Sequence, residues 1–295
     1  MSYARPVPAT ATVPGKIGRL GIGTVQFGQA YGVSNTQGQV SCADVKLILE
    51  LAARSGIGML DTAANYGEAE AVLGGNDLTA FRIVSKTIGV QHGVHAVIAR
   101  VRESVRMLGA VDLLLVHAAK DLLGPSGTTL WRSLQALKAE GVVGGIGISA
   151  YVADDPVMLA ERFRPDAMQL PFSLLDQRLL RDGSLKRLKQ LGVEIHARSL
   201  FLQGLLFMPE PPQKLSAAQP TLEKARAEIA RAGIDPLTAA LGFVLSQLEV
   251  DVAVVGMTGL HQLREIVAAA LSPFPEWDWM ACALTDERIL TPSLW

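Results

Sequence analysis

The sequence predicts an α/β protein built as a (β/α)8 barrel, the TIM-barrel class, on three observations. Eight short apolar runs alternate with helical segments along the chain, a rhythm that favours a parallel barrel over an open sheet. With 295 residues, 49% of them hydrophobic and 28 of them glycine, the chain is long enough for one large core, and one barrel commonly uses about 250 residues. Three successive apolar runs also end in titratable side chains. The first ends at Asp61, with Tyr66 five residues later, the second at Lys86 and the third at His117. On parallel neighbours in a barrel these four would converge at the strand C-termini, where barrel active sites lie. One domain over residues 1–295 is therefore expected, with a tail at 272–295, rich in Trp, that packs across the outside or rims the mouth.

In order, residues 19–24 form a glycine-rich first strand whose Gly21 and Gly23 allow a ligand or another backbone to come close. Ser41 and Asp44 resemble a capping box, and Val45, Ile48, Leu49 and Ala52 recur at helical spacing until Gly56 stops the run. Residues 58–62 are the second strand, 68–73 a brief helix and 81–86 the third strand. A helix over 96–108 follows, with Val97, Val101, Ser104, Val105 and Leu108 inward. The nearly unbroken apolar run 111–117 suits a strand covered on both faces. The alternation continues with a helix at 130–140, a strand at 143–149, a helix near 156–162, a strand at 167–170, a helix at 179–191 and a strand at 193–198. The proline-rich stretch 208–220 reads as a surface loop before helices at 222–232 and 236–249. Asp235 is placed to cap the latter, with Pro236 at its first position. Residues 251–256 are the eighth strand and 259–270 its helix.

Composition excludes several function classes. The formal charge is -1 and no long run of Lys or Arg occurs, so no basic nucleic-acid footprint is expected and the partner is a small molecule. Cys42 and Cys282 are far apart without metal-ligand spacing, so no metal is expected, and the pattern fits a reducing compartment. Residues 1–15 lack the continuous apolar core of a signal peptide, and no uncharged apolar run of about 18 residues predicts a membrane span. A cytoplasmic protein, monomeric or weakly oligomeric, is the expectation.

The segments Leu60-Asp61-Thr62-Ala63-Ala64-Asn65-Tyr66-Gly67, Val84-Ser85-Lys86-Thr87 and Leu115-Val116-His117 resemble the aldo-keto reductases. Further similarity at Gly145-Ile146-Gly147-Ile148-Ser149, Met168-Gln169-Leu170 and Gln203-Gly204-Leu205-Leu206 extends the resemblance over nearly the whole chain, in the family's order. It implies hydride reduction of an aldehyde, ketone or sugar carbonyl. Tyr66 would be the proton donor, Lys86 the cation that stabilises its ionised form, Asp61 the anchor of Lys86, and His117 the group that orients the carbonyl oxygen. The chemistry is coherent, since tyrosine, with an unperturbed pKa near ~10, needs such a cation to act near neutrality. Taken singly, each residue has a blander use: Asp61 as a cap or turn residue, Lys86 as a solvated strand end, His117 as a hydrogen-bonded core histidine.

The hydride must come from a cofactor. Gly21-Ile22-Gly23 lacks the third glycine of the Rossmann fingerprint. The resemblance implies instead NADP or NAD lying extended across the barrel mouth. Its carboxamide would be held by Ser149 and Gln169, with Ala150 where the family usually has Asn. Further contacts would come from Gly23 and Thr24 after the first strand, Arg198, Ser199 and Phe201 after the seventh, and Gly256, Met257, Thr258, Gln262 and Glu265 after the eighth. Gln169 could equally be an inward barrel residue bonded to backbone. Arg198 stands where the family has an aromatic ring that stacks on nicotinamide, and could alternatively be an ion-paired strand end facing away. Gly256 and Gln262 occupy the positions of the Lys and Arg that clamp a 2'-phosphate, leaving Arg264 or His261 as the substitute cations and cofactor preference open. Thr258 and the backbone N–H groups of that helix start remain potential anion donors. Substrate loops are expected at 27–35, 118–129 and in the tail. A cofactor-sensing regulatory subunit and an unrelated barrel isomerase or lyase are the competing readings.

Overall fold

The computed structural model describes residues 15–291 and 295. The N-terminal stretch read above for a signal peptide lies, but for Gly15, outside them. Eight parallel strands form a closed barrel: β1 Leu20–Gly23, β2 Met59–Asp61, β3 Arg82–Lys86, β4 Leu113–Val116, β5 Ile146–Ser149, β6 Ala167–Pro171, β7 Glu194–Arg198 and β8 Val252–Gly256. Each pairs with the next, and β8 closes on β1 with Leu20 opposite Ala253 and Gly23 opposite Gly256. The strands read as unbroken apolar runs because both of their faces are covered. Met59, Val84, Leu113, Leu115, Ala167 and Val254 pack together as one cluster, and the large cluster joins the sheet to the helices. Gly147 is needed in this packing: a Cβ there would stand 2.3 Å from the carbonyl oxygen of Ala167.

The helix stop signals hold where the chemistry is local. Ser41 accepts from the Asp44 N–H at 3.1 Å to start Cys42–Ser55, and Gly56 ends it at φ 87°. Asp235 accepts from the N–H groups of Leu237 and Thr238 to start Pro236–Ser246. That helix stops before residue 249 because the Arg19 guanidinium takes the carbonyls of Leu245, Gln247 and Val250, drawing the chain into β8. Two further expectations need correction. The helix read over 179–191 is two pieces, Arg178–Arg181 and Ser184–Gln190, separated where Gly183 turns left-handed at φ 80°. The loop read over 208–220 contains the 3-10 segment Gln213–Ala218 and the first residues of helix Gln219–Arg231, because Pro220 in a first turn forfeits no helical hydrogen bond.

At the end of the barrel away from Asp61 and Lys86, Arg82 on β3 forms a two-point ion pair with Glu194 on β7, at 2.5 and 2.9 Å. Burial works against the charge of Glu194, but hydrogen bonds from His196 and Arg82 hold its carboxyl down at about 2. Among the described residues the tail packs on the outside and reaches the cavity only at Ser272. Trp279 is buried and stacked on Phe274, and its carbonyl accepts from Gln177 at 2.8 Å. No single helix among the described residues is long and apolar enough to cross a membrane.

Candidate active site

Tyr66 is placed by a close approach of two backbones. The turn Val25–Gly28 after β1 packs against the segment 62–68 after β2, and the Glu68 N–H donates to the Gly28 carbonyl at 3.2 Å. A Cβ on Gly28 would fall 1.8 Å from the Tyr66 carbonyl oxygen, and one on Gly67, whose φ is 55°, would fall 2.3 Å from that of Gly28. Glycine at both positions lets Tyr66 turn its side chain back over the end of β2.

The strand ends bring the four expected residues together. Lys86 Nζ lies 2.7 Å from Asp61 Oδ2, 2.9 Å from the Thr62 carbonyl and 3.3 Å from the Tyr66 phenol oxygen. Burial of Lys86 disfavours its charge, but Asp61 and the Tyr66 oxygen outweigh that cost and raise its pKa above the ordinary value. Asp61 is held from three more directions: the Thr24 N–H and hydroxyl both donate to its carbonyl, and Gln169 Nε2 donates to Oδ1 at 2.6 Å. Thr24 and Gln169 therefore position Asp61, a task that sequence reasoning did not assign to them. The blander uses of Asp61 and Lys86 do not describe this arrangement, since the two form a buried ion pair.

His117 follows β4, its N–H held by the Thr87 hydroxyl at 3.3 Å, and its ring meets that of Tyr66 edge-on at 5.7 Å. Burial, with the cations Lys86 and Arg198 outweighing Asp61, pushes its pKa down to about 4, so near neutrality it is an uncharged imidazole. Arg198 does not form the outward ion pair. Its guanidinium stacks on Tyr151, 4.4 Å from the ring centroid, and makes long contacts of 3.3 Å to the Ala150 carbonyl and the Ser199 hydroxyl.

Asp61, Tyr66, Lys86, His117, Tyr151, Gln169 and Arg198 line one cavity of about 1060 Å³ that runs to the helix Leu260–Leu271. Every residue expected at the cofactor lines it: Gly23, Thr24, Ser149, Gln169, Arg198, Ser199, Phe201, Gly256, Met257, Thr258, Gln262 and Glu265. A dinucleotide fits these walls on two observations. The Gln26 side-chain oxygen is buried without a partner beside Gly256, and a Cβ on Gly256 would stand 3.2 Å from the Gln26 amide, so glycine keeps an acceptor and open backbone at the mouth of β8.

The far end departs from expectation. Gln262 folds back, its Oε1 accepting from the Thr258 N–H at 2.7 Å and from its hydroxyl at 3.3 Å, which occupies the very donors expected to meet an anion. Neither Arg264 nor His261 lines the cavity, and His261 pairs instead with Glu265 at 3.3 Å. Asp235 and Glu265 do line it, the Asp235 carboxylate accepting from Leu237 and Thr238. The loops also differ. Among the described residues the tail gives the wall only Ser272, and 118–129 gives it nothing, because Lys120–Leu123 folds as a helical turn with Asp121 and Leu122 buried. Their place is taken by 199–207, which contains three residues other than glycine at positive φ, namely Ser199, Leu202 and Gln203. Gln203 ties this segment to the loop after β1 through the Val33 N–H and the Ser34 hydroxyl. Sequence reasoning also missed Tyr151; its position two residues beyond Ser149 at a strand end was the available signal.

The fold and site thus define a protein of the parallel eight-stranded barrel class with a buried Asp-Lys pair touching a tyrosine beside a histidine at its strand ends. The chain belongs to the aldo/keto reductase family, whose model matches residues 19–286, and is an NAD(P)H-dependent oxidoreductase. An uncharacterized oxidoreductase of Mycobacterium tuberculosis is 27% identical over 87% of this chain and 85% of its own length. The L-galactose dehydrogenase of Arabidopsis thaliana is 27% identical over 86% and 84%. The holo form of an aldo-keto reductase from Bacillus halodurans shares the fold at a TM-score of 0.72, with 19% identity and 90% of each chain covered.

Proposed function

We propose that the chain reduces the carbonyl of an aldehyde, ketone or sugar, with Tyr66 giving the proton to the carbonyl oxygen. The observation that carries this reading is the Lys86 ammonium, which bridges the Asp61 carboxylate and the Tyr66 phenol oxygen within one buried contact set. A nicotinamide dinucleotide supplies the hydride when bound. Ser149 and the side-chain oxygen of Gln169 would meet its carboxamide, Gly23 and Gly256 would let it lie close to the backbone, and Ser199, Phe201, Met257 and Thr258 would flank its length. As negative charge grows on the substrate oxygen, the Tyr66 proton moves to it and Lys86 stabilises the phenolate that remains. His117, neutral near pH 7 because its pKa is about 4, can donate a hydrogen bond to the same oxygen without competing as an acid.

Tyr66→Phe tests the assignment. Turnover of a carbonyl panel should fall by a factor of about 10² or more, the usual contribution of a positioned acid, while nucleotide titrations by fluorescence stay within twofold of the parent, ~0.4 kcal/mol. Activity within threefold of the parent would assign the proton to another group. Nucleotide binding without turnover of any carbonyl would make the chain a cofactor-sensing subunit instead.

A further inference from the structure

Among the described residues, Arg198 is the only Lys or Arg on the cavity wall that no carboxylate neutralises; Lys86, the other, is paired with Asp61. A guanidinium has five N–H donors in a planar fork. Two contacts of 3.3 Å, to the Ala150 carbonyl and the Ser199 hydroxyl, engage this one only loosely. Its plane is nevertheless fixed by the Tyr151 ring, so the fork is set before any ligand arrives. An uncompensated cation held in place on the wall of a cavity is a site for an oxyanion.

Two sources of oxyanion could reach it, the pyrophosphate of the cofactor and an acidic group on the substrate, and position separates them. Arg198 ends β7 and reaches Ala150, the residue after β5, beside Ser149. It is close enough to His117 to help depress that imidazole, and it acts likewise on Tyr31, whose phenol is raised by burial and by Tyr66 and Tyr151. Tyr31, Tyr66, His117, Tyr151 and Arg198 thus gather on one part of the wall, whereas Asp235 and Glu265 line it from the helices Pro236–Ser246, which Asp235 caps, and Leu260–Leu271. A molecule with an acidic group is drawn to the Arg198 part and repelled from the other. We propose that Arg198 is a specificity-determining residue that receives a carboxylate or phosphate of the substrate, so that the preferred carbonyl compounds are acidic ones. The assignment rests on the proposed reduction at Tyr66 only for which group reacts; the anion site itself stands on the geometry of Arg198.

The test uses matched pairs: 4-carboxybenzaldehyde against benzaldehyde, succinic semialdehyde against butanal, and a phosphorylated aldose against its parent. The acidic member should have the higher kcat/KM by about 10-fold to 10²-fold, the range of one charge-assisted two-point contact, through a lower KM. Arg198→Met should erase that ratio by raising KM for the acid, and Arg198→Lys should restore part of it, with thermal melting confirming that both variants fold. Equal kcat/KM within a pair would overturn the proposal. So would an Arg198→Met enzyme that binds NADH and NADPH tenfold more weakly and loses acidic and neutral substrates alike, because the cation would then serve the cofactor. Calorimetric binding of 4-carboxybenzyl alcohol against benzyl alcohol repeats the comparison without turnover. Acid selectivity that depends on Arg198, in a protein that reduces no carbonyl, would overturn the reading of Tyr66 and leave the anion site standing.

Discussion

Gln169 on β6 donates its side-chain amide to Asp61 on β2, 2.6 Å away across the barrel. The bond joins two strands four apart in the barrel order and leaves Asp61 with Lys86 on one oxygen and Gln169 on the other. The position of the Lys86 ammonium under Tyr66 therefore depends on a residue from the far wall. Gln169→Leu removes a donor to a buried carboxylate, a bond of about 1.5–3 kcal/mol when one partner is charged. Chemical denaturation should show a loss of that order, and kcat should fall by roughly tenfold as Lys86 loses its fixed seat. Stability equal to the parent would mean that Lys86 alone holds the Asp61 carboxylate.

Gly28 makes a second claim testable, that backbone proximity sets the tyrosine. Alanine at this position would place a methyl 1.8 Å from the Tyr66 carbonyl oxygen and 2.4 Å from the Ala69 N–H nitrogen, both main-chain atoms that cannot swing aside. The two segments must separate, which displaces Tyr66 while leaving Lys86, Asp61 and Gln169 in place. Gly28→Ala should lower kcat by about 10²-fold, as misplacement by an ångström can, and reduce stability by about 1–3 kcal/mol. A parent-like kcat would show that the turn Val25–Gly28 yields without moving Tyr66.

These two glycine and glutamine contacts mark where the sequence was legible and where it was not. The caps at Ser41 and Asp235 were readable because they depend on residue type at short spacing, and strand order and the convergence of Asp61, Tyr66, Lys86 and His117 because strands consecutive in the chain are neighbours in a parallel barrel. Contacts between segments distant in the chain were not: Gln169 with Asp61 spans 108 residues and Gln203 with Val33 spans 170. The path of 199–207 over the cavity was equally hidden, since Leu202 and Gln203 adopt positive φ without the glycine that would announce it. The displaced loop 118–129 failed for another reason. It was expected at the substrate because it follows the fourth strand, whereas Asp121 is buried and accepts from the Val90 N–H at 3.2 Å.

His117 gives the protein a pH dependence with a defined window. Its folded pKa is depressed from 6.5 to about 4 by burial and by Lys86, so the unfolded chain takes up a proton first as pH falls. For a base depressed on folding, stability is lost between pH 6.5 and about 4 and levels off below, because both states are then protonated. Glu194, held at about 2, weakens the fold only below its ordinary 4.5, a separate range. Parent and His117→Gln should thus have parallel denaturation midpoints above pH 7 and diverge as pH drops from 6.5 to 4.5, the parent losing up to a few kcal/mol more. Parallel curves throughout would show that His117 ionises as it does in solution.

Cofactor choice follows from the charges at the end of the cavity away from Tyr66. A 2'-phosphate carries close to two negative charges, and two cations facing it would each contribute about 1.5–3 kcal/mol as charge-assisted bonds. Here Gly256 offers no charge, Gln262 is folded onto Thr258, and Arg264 does not line the wall. Glu265 does, and its carboxylate would repel a phosphate while it could accept from a ribose hydroxyl. NADPH should therefore hold no large advantage, the two dissociation constants lying within roughly tenfold, about 1.4 kcal/mol. Arg264→Ala should leave that ratio unchanged. Gln262→Arg should tighten NADPH by about tenfold with little effect on NADH, and raising the salt concentration should erase much of the gain. Fluorescence titration of both nucleotides with the three proteins decides the matter. A hundredfold preference of the parent for NADPH that survives Arg264→Ala would show that the 2'-phosphate does not lie beside Gly256 and Gln262.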